Sequence, residues 1–348
     1  MTYNEALNFI EKKQSFGIMP GLNRINKLLE KMGNPQNEYR IIHIAGTNGK
    51  GTVAKTINNA LIKSGKRVGL FTSPWVIDYR EQIQINNGFI SEAAFAEYVE
   101  KYKENDCSEF EFLCAIMFKF FADEGVDFAV VECGMGGRED ATNVEKENLS
   151  VITSISIDHT NFLGGTIEEI AENKSGILRK NCDCVLYSDE IADIFRDKCK
   201  RLIISPERGN LSVVNTVLER LGVEPEKTLA GLPARRERKN GILLDGGHNV
   251  EAAKMLEPMI NDEIAVIGMM RDKDIDGYFG IIAPKCKRII AVGVDNPRAV
   301  SADELASIAK KYCIDVITAS NAEAALKYNP SLICGSFYMI REIYNLIS

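Results

Sequence analysis

The chain has 348 residues, 45% hydrophobic and 26% charged, with a formal net charge of -7, enough apolar material for two domains that need no disulfide staples. Its one basic run, Arg235-Arg236-Glu237-Arg238-Lys239, is short, which excludes nucleic acid and an anionic membrane as main partners because both require clustered lysine and arginine. Nine scattered cysteines without a Cys-x-x-Cys pair, no secretory pattern in Met1 to Glu5 and no membrane-length apolar stretch lead to the expectation of a soluble cytoplasmic protein with reduced thiols.

Residues 3 to 32 carry two helical patterns separated by Phe16-Gly17-Ile18-Met19-Pro20-Gly21. The apolar run Ile41 to Ala45 then reads as a buried strand, Gly46 to Gly49 as a loop, and Gly51 to Ser64 as a helix. A strand at 68–71, helices at 91–104 and 108–124, and an almost wholly apolar strand at 128–132 follow, and continuous apolar strands belong to a parallel sheet covered on both faces. Next come a strand at 151–157 and a helix opened by the capping box Thr166-x-x-Glu169 and running to Leu178. Further on lie strands at 184–187 and 202–204 and a helix opening near Asn210. The polar, glycine-bracketed stretch 231–241 is expected to be a linker. Beyond it, strands at 242–244, 264–268, 288–292, 314–317 and 332–334 alternate with helical patterns. The fold expected is α/β: a P-loop, doubly wound, mainly parallel sheet domain over 1–232, then a smaller Rossmann-like α/β domain over 233–348.

Gly46-Thr47-Asn48-Gly49-Lys50-Gly51-Thr52 is the stretch with the clearest chemistry. Loop N–H groups and a helix N-terminus can cradle phosphate, while Lys50 and Thr52 serve the β/γ-phosphates and Mg²⁺. The general phosphate-loop pattern is not met, since Gly51 separates Lys50 from Thr52 and Ile44 stands where a glycine is required. Other strand ends carry Thr72-Ser73-Pro74, Glu132 and Asp158-His159, where an open α/β sheet places its ligands. Singly, Glu132 reads as a capping acid and His159 as a structural histidine; together, downstream of a phosphate loop, they read as a metal shell. Lys174, on a helix with Glu168, Glu169 and Glu172, reads from composition as a solvated lysine. Asp245-Gly246-Gly247-His248-Asn249 reads as a strand-to-helix turn with Asn249 as N-cap.

The ordered set of motifs resembles the dihydrofolate synthase/folylpolyglutamate synthase family, a branch of the Mur ligases. The resemblance rests on Phe16-Gly17-Ile18, His43 through Thr52 with its intervening glycine, Phe71 to Pro74, Arg80 to Ile83, and Glu132 through Asn143. It continues with Asp158-His159-Thr160, Lys174 to Ile177, Pro233 to Glu237, Leu244 to Asn249, Asp272 to Asp274, Asn296 to Ala299 and Gly335 to Tyr338. It implies ATP-dependent formation of an acyl phosphate that the amine of L-glutamate attacks, with dihydropteroate or reduced folates as acceptors; a monomer is expected, though the sequence does not determine the oligomeric state. Carried over residue by residue, it implies ATP binding by Gly46 to Thr52, Asn210, Arg235 and Asp245. Metal ligation falls to Thr52, Ser73, Glu132, His159 and a carbamylated Lys174, which reverses the solvated reading of that lysine. Catalysis falls to Lys50, Lys174 and His248, with His248 and Ser336 at the glutamate; His248 or a group on the metal would take the amine proton. The segment between Cys184 and Arg235 is shorter than in typical members, Trp75 replaces a usual histidine, and Ala234-Arg235 replaces a usual Gly-Arg. A Mur-type ligase acting on another carboxylate, or a degenerate nucleotide-binding switch, are the alternatives.

Overall fold

A computed structural model describes residues 1–13, 21–147 and 149–347, so the Phe16-Gly17-Ile18 match lies outside the described residues. The chain forms two units: Met1–Pro74, Arg80–Ile155 and Gly165–Ala230 make the first, and Trp75–Tyr79, Ser156–Gly164 and everything from Gly231 make the second.

The first unit holds an eight-stranded sheet made of β1 (Arg40–Ala45), β2 (Val68–Phe71), β3 (Ile83–Ile85), β4 (Gly88–Phe89), β5 (Phe128–Glu132), β6 (Leu149–Ile152), β7 (Asp183–Leu186) and β8 (Arg201–Ile204), in the order β4-β3-β2-β5-β1-β6-β7-β8. The strands from β2 through β8 in that order pair in parallel, while β3 and β4 form an antiparallel edge. Strand β5 is buried at every residue because helices cover both faces of the sheet. The helix Lys50–Lys63 packs Val53, Ala54, Ile57 and Leu61 on Ile42, Ile44 and Val130. The helix Glu109–Asp123 is buried almost all round and starts at the capping box Ser108 and Glu111.

The second unit holds a six-stranded sheet made of β9 (Arg235–Lys239), β10 (Ile242–Asp245), β11 (Glu263–Ile267), β12 (Cys286–Val292), β13 (Val316–Ala319) and β14 (Leu332–Cys334), ordered β13-β12-β11-β14-β10-β9. Along its strands neighbouring residues feed opposite cores: Leu243, Ala265, Ile289 and Leu332 one side, Leu244, Val266, Ile290 and Ile333 the other. That alternation is the mark of a sheet wound on both faces.

Two expectations give way. The strand at 151–157 stops at Ile152, because the next residues leave the ladder for the phosphate loop: Thr47 donates to Ser154 O at 2.7 Å and the Thr153 hydroxyl donates to Asn48 O at 2.8 Å. The stretch 231–241 is not a linker throughout, for Arg235–Lys239 is an edge strand paired antiparallel with β10. Its turn is Asn240-Gly241, both with positive φ, the pair that a two-residue hairpin favours. Asn86 and Asn87 make a second such turn between β3 and β4, which the sequence reading also passed over.

Candidate active site

In the first unit the phosphate loop leaves β1 at Ala45 and enters the helix Lys50–Lys63 through Gly49, whose φ of +85° suits a residue without Cβ. A Cβ on Gly49 would also lie 2.4 Å from the Asn210 carboxamide, so Asn210, first residue of the helix Asn210–Leu221, is seated on the loop. Lys50 Nζ reaches Gly46 O at 3.3 Å and Thr47 O at 3.2 Å, and Lys174 Nζ donates to the same Gly46 O at 2.8 Å. Lys174 is only 3% exposed, which corrects the solvated reading made from composition. Its ammonium sits beside the loop at the end of the helix Ile167–Lys174, whose capping box at Thr166 is formed. Thr52 lies half-buried in the first turn of the loop's helix.

Glu132 ends β5 in register with Ile44 of β1, one strand over from the loop, and is 2% exposed. Its carboxylate accepts from Ser73 N at 3.1 Å, which brings the end of β2 to the same place. Thus Ser73 and Glu132, far apart in sequence, meet at the carboxyl ends of the neighbouring strands β2 and β5, and Thr52 is in the helix that follows β1, the strand next to β5. Beneath them lies a buried network that sequence reasoning missed. His43 meets Glu145 at 2.9 Å through Nδ1 and Thr142 at 2.8 Å through Nε2, with the Cys133 sulfur 3.1 Å from Nε2. Burial would lower the His43 pKa, yet the Cys133 sulfur and the Glu145 carboxylate facing it raise it well above the ordinary value.

In the second unit Asp245 ends β10 and its carboxylate clasps the turn, accepting from Gly247 N at 2.8 Å and Arg236 N at 3.0 Å. Burial raises its pKa, and the two N–H bonds oppose that. His248 follows, with Asn249 as the expected N-cap, its carboxamide oxygen accepting from Ala252 N at 2.8 Å. Asp158, His159 and His248 form the one trio of metal-type donors found within 4.8 Å of one another among the described residues. Asp158, however, already carries the Lys273 ammonium at 2.8 Å and the Asn249 amide at 2.9 Å. Burial would raise the Asp158 pKa, but His159, His248 and Lys273 together hold it below the ordinary carboxylate range. Burial and the nearby Lys273 push His248 down to about 4, so it is neutral near pH 7. Ser336 is 2% exposed and caps the helix Phe337–Ile343 by accepting from Met339 N. Arg235 lies over the Phe337 ring, with Cζ 4.7 Å from its centroid. Lys273 and Phe337 are site neighbours that sequence reasoning gave no role; Lys273 lies 115 positions from its partner, beyond any spacing rule.

Residues 44–205 match the family model described as Mur ligase middle domain, and residues 234–333 match Mur ligase, glutamate ligase domain. The chain is 30% identical to a protein of Schizosaccharomyces pombe named probable dihydrofolate synthetase, covering 95% of this chain and 99% of the relative. The chain belongs to the dihydrofolate synthase/folylpolyglutamate synthase family. As a member of that family of Mur ligases it is an ATP-dependent ligase. The alignment runs over 411 positions, more than the 348 residues here, so the relative carries stretches that this synthase-family chain lacks. Among solved structures it is similar to the Mycobacterium tuberculosis folylpolyglutamate synthase complexed with ADP, at a TM-score of 0.86, 25% identity and 99% coverage of each chain. It also shares the fold of the Yersinia pestis bifunctional folylpolyglutamate synthase/dihydrofolate synthase complexed with AMPPNP and Mn ion, at a TM-score of 0.87, 24% identity, and coverage of 99% of this chain and 98% of that one.

Proposed function

We propose that this chain joins the amine of L-glutamate to a carboxylate of dihydropteroate, of a reduced folate, or of both, through an acyl phosphate made from ATP. The observation that carries the reading is Glu132, a carboxylate 2% exposed at the end of an apolar strand, in register with the strand that feeds the phosphate loop. A buried carboxylate is stabilised by a cation, and Glu132, Ser73 and Thr52 offer the hard oxygen donors that suit Mg²⁺. His159, in the second unit, is a candidate further ligand by its match to the family motif. Bound Mg²⁺ supplies charge neutralisation between the γ-phosphate and the substrate carboxylate.

The loop N–H groups and Lys50 orient the triphosphate, with Asn210 at the nucleotide base, Asp245 at the ribose and Arg235 at the phosphates. Lys174, carrying carbon dioxide as a carbamate, exchanges its positive charge for a negative one beside the loop. His248, neutral near pH 7 and with its side chain 29% exposed, can accept a hydrogen bond from the glutamate ammonium and so orient it, but a pKa lowered to about 4 makes it a weak acceptor for the proton itself. Ser336 is assigned to the glutamate. The nine cysteines are free, and no helix among the described residues is long and apolar enough to cross a membrane; a cytoplasmic monomer using small-molecule substrates is part of the proposal.

The test supplies purified protein with ATP, Mg²⁺ and L-glutamate, offers dihydropteroate and tetrahydrofolate separately, and measures ADP release and product mass. A product one glutamate heavier with at least one acceptor is expected. ADP release without product would favour a different carboxylate or a nucleotide switch.

A further inference from the structure

Arg235 is flanked by two residues in the left-handed region, Ala234 at φ +55° and Arg236 at φ +54°. Such backbone is costly for residues with side chains and persists only where its surroundings hold it. Here they do. Asp245 accepts from Arg236 N at 3.0 Å, Glu237 accepts from Ala234 N at 2.8 Å, and Gly246 N donates to Ala234 O at 2.7 Å. Glu237 is in turn fixed by the Tyr344 hydroxyl at 2.7 Å. The result projects the Arg235 side chain across the Phe337 ring at 4.7 Å.

That ring has further neighbours. His248 meets it edge-on, with centroids 6.5 Å apart and planes at 79°. The turn that carries His248 is pressed onto it: a Cβ on Gly246 would lie 2.3 Å from the ring. Phe337 is 8% exposed and is the first residue of a helix capped by Ser336, so its position is fixed from both the helix and the core. An aromatic face orients a guanidinium plane without engaging its N–H groups.

We propose that Phe337 is a positioning residue, its ring setting the attitude of the Arg235 guanidinium toward phosphate and of the His248 imidazole toward the reacting amine. The inference rests on the roles given to Arg235 and His248 above. It predicts that what matters at position 337 is the aromatic face and not merely apolar volume.

The test measures kcat and KM for ATP in the full-length protein for wild type, Phe337→Leu, Phe337→Tyr, Arg235→Ala and the double variant Arg235→Ala with Phe337→Leu. Phe337→Leu is expected to raise KM for ATP about three- to thirtyfold, the range of a desolvated cation–aromatic contact, and Phe337→Tyr to stay within about twofold of wild type. In the Arg235→Ala background, Phe337→Leu should change KM for ATP no further. Partial unfolding lowers kcat by lowering the active fraction but leaves KM alone, so a merely structural role is distinguishable; Phe337→Met provides a second non-aromatic replacement. If Arg235→Ala raises KM while Phe337→Leu does not, or if the leucine penalty persists without Arg235, the positioning role is overturned and the proposed function stands. If Arg235→Ala leaves KM unchanged, the phosphate role of Arg235 fails and the positioning of it fails with it.

Discussion

At residue scale the sharpest change concerns Lys174. Its neighbours in sequence are acids, and composition assigns it to solvent, yet the fold buries it against the carbonyl of Gly46. An ammonium is expensive to bury unless hydrogen bonds or opposite charge offset the lost hydration, and the Gly46 carbonyl at 2.8 Å supplies one such bond. Lys174→Ala is expected to lower kcat on the order of 10²- to 10³-fold, the loss typical when a charge-stabilising group is removed, and added bicarbonate or a small carboxylate should restore part of it. Full activity of the variant would remove the carbamate from the scheme. Asp245 and Ser336 were legible as residues but not in their local duties. Each also holds a turn or caps a helix, through bonds that depend on where the chain comes back.

At the scale of the element, the hairpin β9–β10 shows what a composition-based reading misses. Its charges suggested a linker, whereas the pair Asn240-Gly241 was the available signal of a tight turn. The family resemblance implies Gly-Arg where this chain has Ala234-Arg235, and the φ of +55° at Ala234 is one that glycine adopts at little cost. The alanine has its own gain, since it is fully buried in the second unit's core. Left-handed backbone costs about 1–2 kcal/mol, while a buried methyl contributes about 0.8 kcal/mol and glycine's unfolded-state freedom costs a further 0.5–1 kcal/mol, roughly. Ala234→Gly should therefore change stability by less than about 1 kcal/mol in urea unfolding. Ala234→Val adds β-branching and bulk at a strained, packed position and should cost about 2–4 kcal/mol.

For the molecule as a whole, the first unit is tied together beneath its loop by the chain Arg179, Glu145, His43, Thr142 and Asp140. Protonated His43 can donate from both nitrogens, to Glu145 and to Thr142, which fits the direction of its pKa shift. A histidine whose folded pKa lies above its unfolded value of about 6.5 contributes stability that is complete below that value and is lost as pH rises through the folded pKa. The stability advantage of wild type over Glu145→Gln should thus be largest near pH 6 and shrink as the pH rises through the raised folded pKa of His43, as read from urea midpoints at each pH. An advantage that grew with pH would mean that His43 is neutral in the folded protein. The second unit shows a comparable charge economy around Asp158, where Lys273 and Asn249 converge from distant positions.

The α/β class, most strands to within a residue or two and the phosphate loop were legible in the sequence, because periodicity, capping boxes and glycine placement are local properties that neighbours in the chain decide; the family was legible through its ordered motifs. Tertiary contacts alone placed Lys174 on the loop, set His43 between Glu145 and Cys133, and gathered Arg235 and His248 at Phe337. Those outcomes turn on desolvation and on contacts between residues up to more than a hundred positions apart, and neither has a signature in spacing along the chain.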